Sequence, residues 1–305
     1  MKKVLIIGAN GYLGKELTAH LSRRNIQVVA FVPTGLQDEF TTIFPTVQCV
    51  EFNFASLLET DYSVSLENVD TAYNFAWAGV NAKDRNNVDV QAENFYYNIK
   101  VVQLVNKYHI KRLVVSGSAA EFSCSGSVID GTGASAPSDL YSATKAATRE
   151  FCVVFCAQHS IELMWTLATS IYGPGRDDNN LIAYVIKTLL KGEKPSCTKL
   201  EQCWDYIYID DFINALALIG EKGRGSKIYP VGSGTHRSLR EYVEIIHNII
   251  DPTLPIGIGD IPYKSDKIDN QILDITNLTT DTNFIPKFSF EEGIKIVIDY
   301  FRTIL

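Results

Sequence analysis

The chain has 305 residues, 46% of them hydrophobic and 21% charged, with a net charge of −7. That balance fits an ordinary globular protein long enough to bury a sizeable core. The basic residues are scattered, so no stripe for a nucleic acid forms, and no run approaches the ~20 apolar residues of a membrane span.

Lys3–Ile7 is a short β-branched run that ends at glycines, which predicts a buried parallel strand. Its apolar stretch is too short for a secretory leader and no small-residue cleavage site follows, so a reduced, cytoplasmic setting is expected. Leu13–Arg24, with Leu13, Leu17 and Leu21 at helical spacing, predicts the first helix, and Gln27–Val32 a second strand. Cys49–Phe52 and Thr71–Phe75 fit two more strands, residues from about Val90 to Tyr108 a long amphipathic helix, and Leu113–Ser116 the next strand. Leu140–Gln158 predicts a helix and Glu162–Leu167 a strand. Strands alternating with helices imply βαβ units, hence an α/β protein with a parallel sheet covered on both faces.

After Gly173-Pro174-Gly175 the texture changes to short helices, at about Leu181–Lys191 and Asp211–Gly220, among loops rich in Gly, Pro and Asp. Ser238–Ile250 and Phe290–Arg302 read as amphipathic helices. The cysteines, at positions 49, 124, 152, 156, 197 and 203, have no histidine at metal-ligand spacing and read as buried thiols; no metal is expected.

Gly8-Ala-Asn10-Gly11-Tyr12-Leu13-Gly14 joins the first strand to the first helix. Glycines there permit a tight turn, a close approach of backbone to a pyrophosphate and close helix–strand packing, while the helix N-terminus supplies free N–H groups. The spacing, GxxGxxG, resembles that of the extended short-chain dehydrogenases/reductases that act on nucleotide sugars, the NAD-dependent epimerase/dehydratase family. The resemblance covers nearly the whole chain. It implies a Rossmann-type doubly wound sheet in residues 1–172, carrying the catalytic groups, and a smaller C-terminal α/β substrate lobe in 173–305, with room for the chain to return to the first domain around 205–235.

An acid at the end of the second strand would hold the ribose 2′-OH of NAD, whereas an Arg would favour the 2′-phosphate of NADP. Val32-Pro33-Thr34-Gly35 offers neither. Without an acid there is no repulsion of a 2′-phosphate, so NADP(H) is favoured weakly over NAD(H).

Tyr141 and Lys145 stand four apart in Asp139-Leu-Tyr-Ser-Ala-Thr-Lys145, on one face of a helix. A free phenol has a pKa near ~10, too high for facile proton exchange at neutral pH, and a nearby ammonium favours the phenolate. A lone pair of this kind is more often a surface contact. The resemblance assigns it catalysis: Tyr141 donates a proton to a carbonyl, Ser118 hydrogen-bonds the same oxygen, and Lys145 also holds the nicotinamide ribose. Ser116 is the less suitable serine and is placed against the cofactor.

The resemblance further lays Ala76, Trp77 and Ala78 along the cofactor, with Asn94 beside the catalytic lysine. Ala119, Asn179, Asn180, Arg237 and Lys264 would meet the nucleotide sugar, the last two through its diphosphate. Two departures stand out: Trp204 where many members have Arg, and Leu167-Ala168 where many have Leu-Arg. Family members commonly dimerise through the long helix and the one bearing YxxxK. Val101, Leu104, Val105, Val153 and Val154 would supply that apolar face or else face the sheet.

Dehydratases of this family resemble one another in an Asp-Glu pair directly after the catalytic hydroxyl. Here Ala119 and Ala120 follow, then Glu121. The 3,5-epimerase/reductases carry a cysteine near that serine, and Cys124 lies too far along. The segments Gly117–Phe122 and Trp77-Ala-Gly resemble those of reductases that finish dTDP- or CDP-linked deoxyhexoses. The expectation is an NAD(P)H-dependent nucleotide-sugar 4-ketoreductase, with a 4-epimerase as the alternative and a non-catalytic dinucleotide-binding sensor third.

Overall fold

The computed structural model describes residues 1–81, 83–122, 128–176, 180–263 and 270–305. Asn179, Lys264 and Cys124 lie outside these described residues.

The first half alternates as its apolar periodicity requires: β1 (Lys3–Ile7), α1 (Tyr12–Arg23), β2 (Gln27–Pro33), α2 (Gln37–Ile43), β3 (Gln48–Phe52), α3 (Ser63–Leu66), β4 (Thr71–Asn74) and α4 (Val88–Lys107). β5 (Arg112–Ser118) runs into a 3-10 turn at Ala119–Phe122, followed by α5 (Leu140–Gln158), β6 (Glu162–Ala168) and β7 (Ser170–Tyr172). The rest comprises α6 (Leu181–Leu190), β8 (Ser196–Cys197), β9 (Cys203–Tyr208), α7 (Ile209–Lys222), β10 (Lys227–Val231), β11 (His236–Ser238), α8 (Leu239–Ile250), β12 (Gly257–Ile258), α9 (Thr276–Thr282) and α10 (Phe290–Ile304).

Seven strands form one parallel sheet in the order β3-β2-β1-β4-β5-β6-β10. Strand order reverses between β1 and β4, where a doubly wound sheet opens its ligand crevice. Alternation along β1 explains the two-sided core. Val4 and Ile6 pack with α1 and the helices of the C-terminal third, while Leu5 and Ile7 pack on the side of α4 and α5.

The chain does not stay away from this sheet after Tyr172. β10 pairs with β6 at its edge, and α7 packs against α1. β11, β9 and β7 form a second, small sheet, and β12 pairs with β8. These strands have only two to six residues each, too short for a period-two pattern to show in sequence.

Candidate functional site

The glycine turn closes against the end of β4. Gly8 has φ +80°, and a Cβ on it would lie 2.8 Å from the backbone N of Ala76. A Cβ on Gly14 would lie 2.3 Å from the Gly8 carbonyl oxygen, so α1 presses directly on the turn. α1 opens on Gly11, which has no side chain to cap the first-turn N–H groups. Asn10 lies in the turn, and Leu13 packs on the core beneath it. Tyr12 donates its hydroxyl to the Pro174 carbonyl at 3.1 Å, tying the turn to the Tyr172-Gly-Pro-Gly segment. A backbone cradle of this width, with the positive end of a helix behind it, fits a dinucleotide pyrophosphate.

Val32 does not present its side chain to that crevice. It is fully buried in the face packed by α1. The tip of β2 also differs from what the sequence implied. Glu51 of β3 stands in register with Val32, and its carboxylate accepts the Gly35 N–H at 2.8 Å. An acid therefore does reach the end of β2, from the neighbouring strand.

The segment after β4 is held by a buried amide ladder on α4. Asn94 exchanges two hydrogen bonds with the backbone of Ala78, both at 2.9 Å, and Asn98 accepts from the Asn74 amide at 2.7 Å. Gln91 accepts the Trp77 indole N–H and donates to the Gly79 carbonyl. Sequence reasoning singled out Asn94 but missed Asn98, although the two stand one helical turn apart on α4.

The Ser118 hydroxyl faces the Tyr141 phenol closely enough to favour the phenolate. Ser118 Oγ also accepts the Ala120 N–H at 3.2 Å, which turns it out of the strand end. α5 begins on Asp139 in a reciprocal cap with Ser142, so the helix start that carries Tyr141 is fixed by local chemistry. Lys145 donates to the Ser116 carbonyl at 2.6 Å, so Ser116 serves through its backbone. Its Nζ lies 3.7 Å from the centre of the Trp77 ring and 5.9 Å from that of Tyr141.

Arg85 was not legible as part of the site. Its guanidinium sits 4.3 Å over the Tyr141 ring and pairs with Asp139 at 2.6 Å, while its carbonyl accepts the Tyr141 N–H at 2.9 Å. Its loop, Lys-Asp-Arg-Asn-Asn, reads in sequence only as a polar turn. Burial pushes the Tyr141 phenol above its ordinary value, and the Ser118 hydrogen bond and the Arg85 charge pull it back. Burial pulls the Lys145 ammonium down to about 7, with the Glu121 charge opposing.

The substrate residues are more dispersed. Ala119 is buried, backbone included, and presents no open surface to a ligand. Asn180 caps α6 by accepting the Ala183 N–H. Arg237 sits opposite Trp204 across β11 and β9 and pairs with Glu291 at 2.6 Å, beside a cavity of about 340 Å³ lined by Tyr206, Tyr242, Lys287 and Phe290. Of Asp210 and Asp211, the second accepts the backbone N–H groups of Lys287 and Phe288, a structural role at the start of α7. Among the described residues no group of three or more His, Cys, Asp or Glu could hold a metal ion, and no helix is long and apolar enough to cross a membrane.

Comparison with known proteins agrees with this fold. Over its whole length the chain is similar to CDP-abequose synthase of Salmonella typhimurium, at 24% identity covering 96% of each chain. It is similar to dTDP-4-dehydro-6-deoxyglucose reductase of Escherichia coli at 22% identity, covering 98% of this chain and 97% of that one. The chain also matches dTDP-glucose 4,6-dehydratases, at 28% identity for that of Xanthomonas campestris, but spans only 50% of that protein's length. Among solved structures it superposes on UDP-N-acetylglucosamine 4-epimerase from Methanobrevibacter ruminantium M1 with a TM-score of 0.85, at 19% identity over 100% of this chain and 99% of that one, a likeness of fold. Residues 4–232 match the NAD dependent epimerase/dehydratase family, and the chain belongs to that family.

Proposed function

We propose that the protein reduces the 4-keto group of a nucleotide-linked 4-keto-6-deoxyhexose, a dTDP- or CDP-sugar, in deoxysugar synthesis for surface polysaccharide. The observation that carries this reading is the placing of Ser118 against Tyr141 at a site where the acid that follows the serine is turned away. Glu121 is fully buried and faces Arg149, so the segment after the serine offers no acid and base for eliminating water. The full-length similarity to proteins named CDP-abequose synthase and dTDP-4-dehydro-6-deoxyglucose reductase supports it.

A nicotinamide, when bound, supplies the hydride. Tyr141 gives its proton to the keto oxygen, Ser118 donates a hydrogen bond to that oxygen as negative charge builds there, and Lys145 sits beside the phenol and the strand end to orient the ribose. The glycine turn and the uncapped start of α1 hold the pyrophosphate.

The cofactor is read as NAD(H) rather than NADP(H). Glu51 brings its carboxylate to the tip of β2, where it accepts from a 2′-hydroxyl and repels a 2′-phosphate. That same acid is the observation favouring the second reading, a 4-epimerase that keeps NAD bound.

One experiment separates these. Purified protein is mixed with dTDP-4-keto-6-deoxyglucose and either NADH or NADPH, and nicotinamide absorbance is followed. Continuing oxidation, at least tenfold faster with NADH and levelled between the two by Glu51→Gln, is expected. No oxidation, with NAD carried through purification, would move the assignment to the epimerase.

A further inference from the structure

Glu121 is a carboxylate with no solvent exposure, one turn past the serine and unused in the chemistry above. Its Oε1 accepts the Ser118 backbone N–H at 2.9 Å and the Trp165 indole N–H at 3.0 Å. Its Oε2 faces Nε of Arg149 at 3.4 Å, and the Arg149 side chain is only 4% exposed. Arg149 follows Tyr141 and Lys145 at intervals of four along one face of α5. Gly117 makes room for this arrangement: a Cβ there would lie 2.0 Å from the Trp165 Nε1 and 2.7 Å from Glu121 Oε1.

Stability does not account for such a pair. Burying two charges costs about as much as their attraction returns, and apolar residues of similar volume do as well or better. What the pair does that apolar residues would not is grip a particular N–H, that of Ser118.

We propose that Glu121 and Arg149 are positioning residues, a buried pair that ties the backbone of Ser118 to the helix bearing Tyr141 and Lys145 so that the three groups are set as one unit. The proposal rests on reading those three as the catalytic groups, not on the direction of hydride transfer. The charge of Glu121 has a second consequence. The charged groups that face it are Arg149 and Lys145, and Lys145 faces Glu121 and the buried, neutral thiol of Cys152. Burial pushes the Glu121 carboxyl up and the Lys145 ammonium down, and a negative Glu121 helps Lys145 keep its proton. Loss of that negative charge moves the deprotonation of Lys145 to lower pH.

Glu121→Gln, Arg149→Met and the double variant test this beside Ser118→Ala and Tyr141→Phe. Turnover is measured with dTDP-4-keto-6-deoxyglucose and NAD(P)H, and with UDP-glucose and NAD. Each single change at the pair is expected to lower kcat about tenfold or more with KM within about threefold, and the double variant to be no worse than the poorer single one. The alkaline limb of the Glu121→Gln profile shifts to lower pH. A lowered melting temperature with kcat and the pH limb unmoved would overturn the proposal and leave the pair a structural element. Full turnover in Ser118→Ala and Tyr141→Phe would instead sink the catalytic reading. Amide exchange needs no substrate: Ser118 exchanges at least tenfold faster in Glu121→Ala than in the wild type, and equal rates overturn the proposal even if neither sugar reacts.

Discussion

Two cations lie near the Tyr141 ring, and the nearer is not the one its sequence spacing points to. The Arg85 guanidinium lies 4.3 Å from the ring centre, whereas Lys145 Nζ lies 5.9 Å away and is stacked on Trp77. Burial raises the phenol, and Arg85 is among the groups that oppose it. The proposed reduction would use the phenol and the ammonium in their protonated forms. Its kcat/KM is therefore expected to fall as pH rises, beginning near the Lys145 value of about 7. The reverse, oxidising reaction needs the phenolate. Arg85→Gln removes a charge that favours it, so the rising limb of oxidation moves to higher pH; a limb that stays in place would show that Arg85 only braces Asp139. The Tyr141–Lys145 spacing was legible because both groups share one helix. Arg85 was not, because it reaches Asp139 across 54 residues.

At the scale of the element, the turn between β1 and α1 is where backbone geometry meets ligand binding. Three glycines look alike in the sequence, but the structure ranks them. A Cβ at position 14 would sit 2.3 Å from the Gly8 carbonyl oxygen and 2.6 Å from the Ala9 Cα, whereas at position 11 it would meet that oxygen at 3.4 Å. Gly14→Ala must push α1 off the turn, and is expected to weaken dinucleotide binding about tenfold or more and lower the melting temperature by several degrees. Gly11→Ala is expected to keep the wild-type melting temperature. Fluorescence titration with NADH and a thermal melt of each variant make the comparison, and equal losses in both would refute the ranking. The same contrast holds for helix starts. α5, α8 and α10 each begin with a reciprocal cap, from Asp139, Ser238 and Ser289, and each start fell within a residue of its place in the sequence reading. α2, α3 and α9 have no side-chain cap and four to seven residues, and sequence periodicity passed over them.

At the scale of the whole molecule, the outer face of the α4–α5 pair is left apolar. Val101, Leu104 and Val105 face inward and are buried, while Val154 is 57% and Tyr96 55% exposed, with Phe95 packed edge-on to Phe151 between the two helices. Of the residues that could have lined a dimer, then, only Val153 and Val154 are on the surface. We expect a homodimer through this face. Val154→Glu should shift the mass in sedimentation velocity from dimer to monomer without altering the melt of the protomer; an unchanged mass would place any dimer elsewhere.

The order of strands and helices, the glycine turn and the Tyr–Lys pair could all be read in the chain, because each depends on residues a few positions apart whose spacing matches a helical or extended period. What the site does with them was decided by the fold. Glu51 meets Gly35 across a strand pairing, Arg85 meets Asp139 from another loop, and Glu121 meets Trp165 from a strand 44 residues on. Each is a polar side chain whose partner is chosen by sheet order and by burial. Those contacts carry no period, and only a packed sheet brings their ends together.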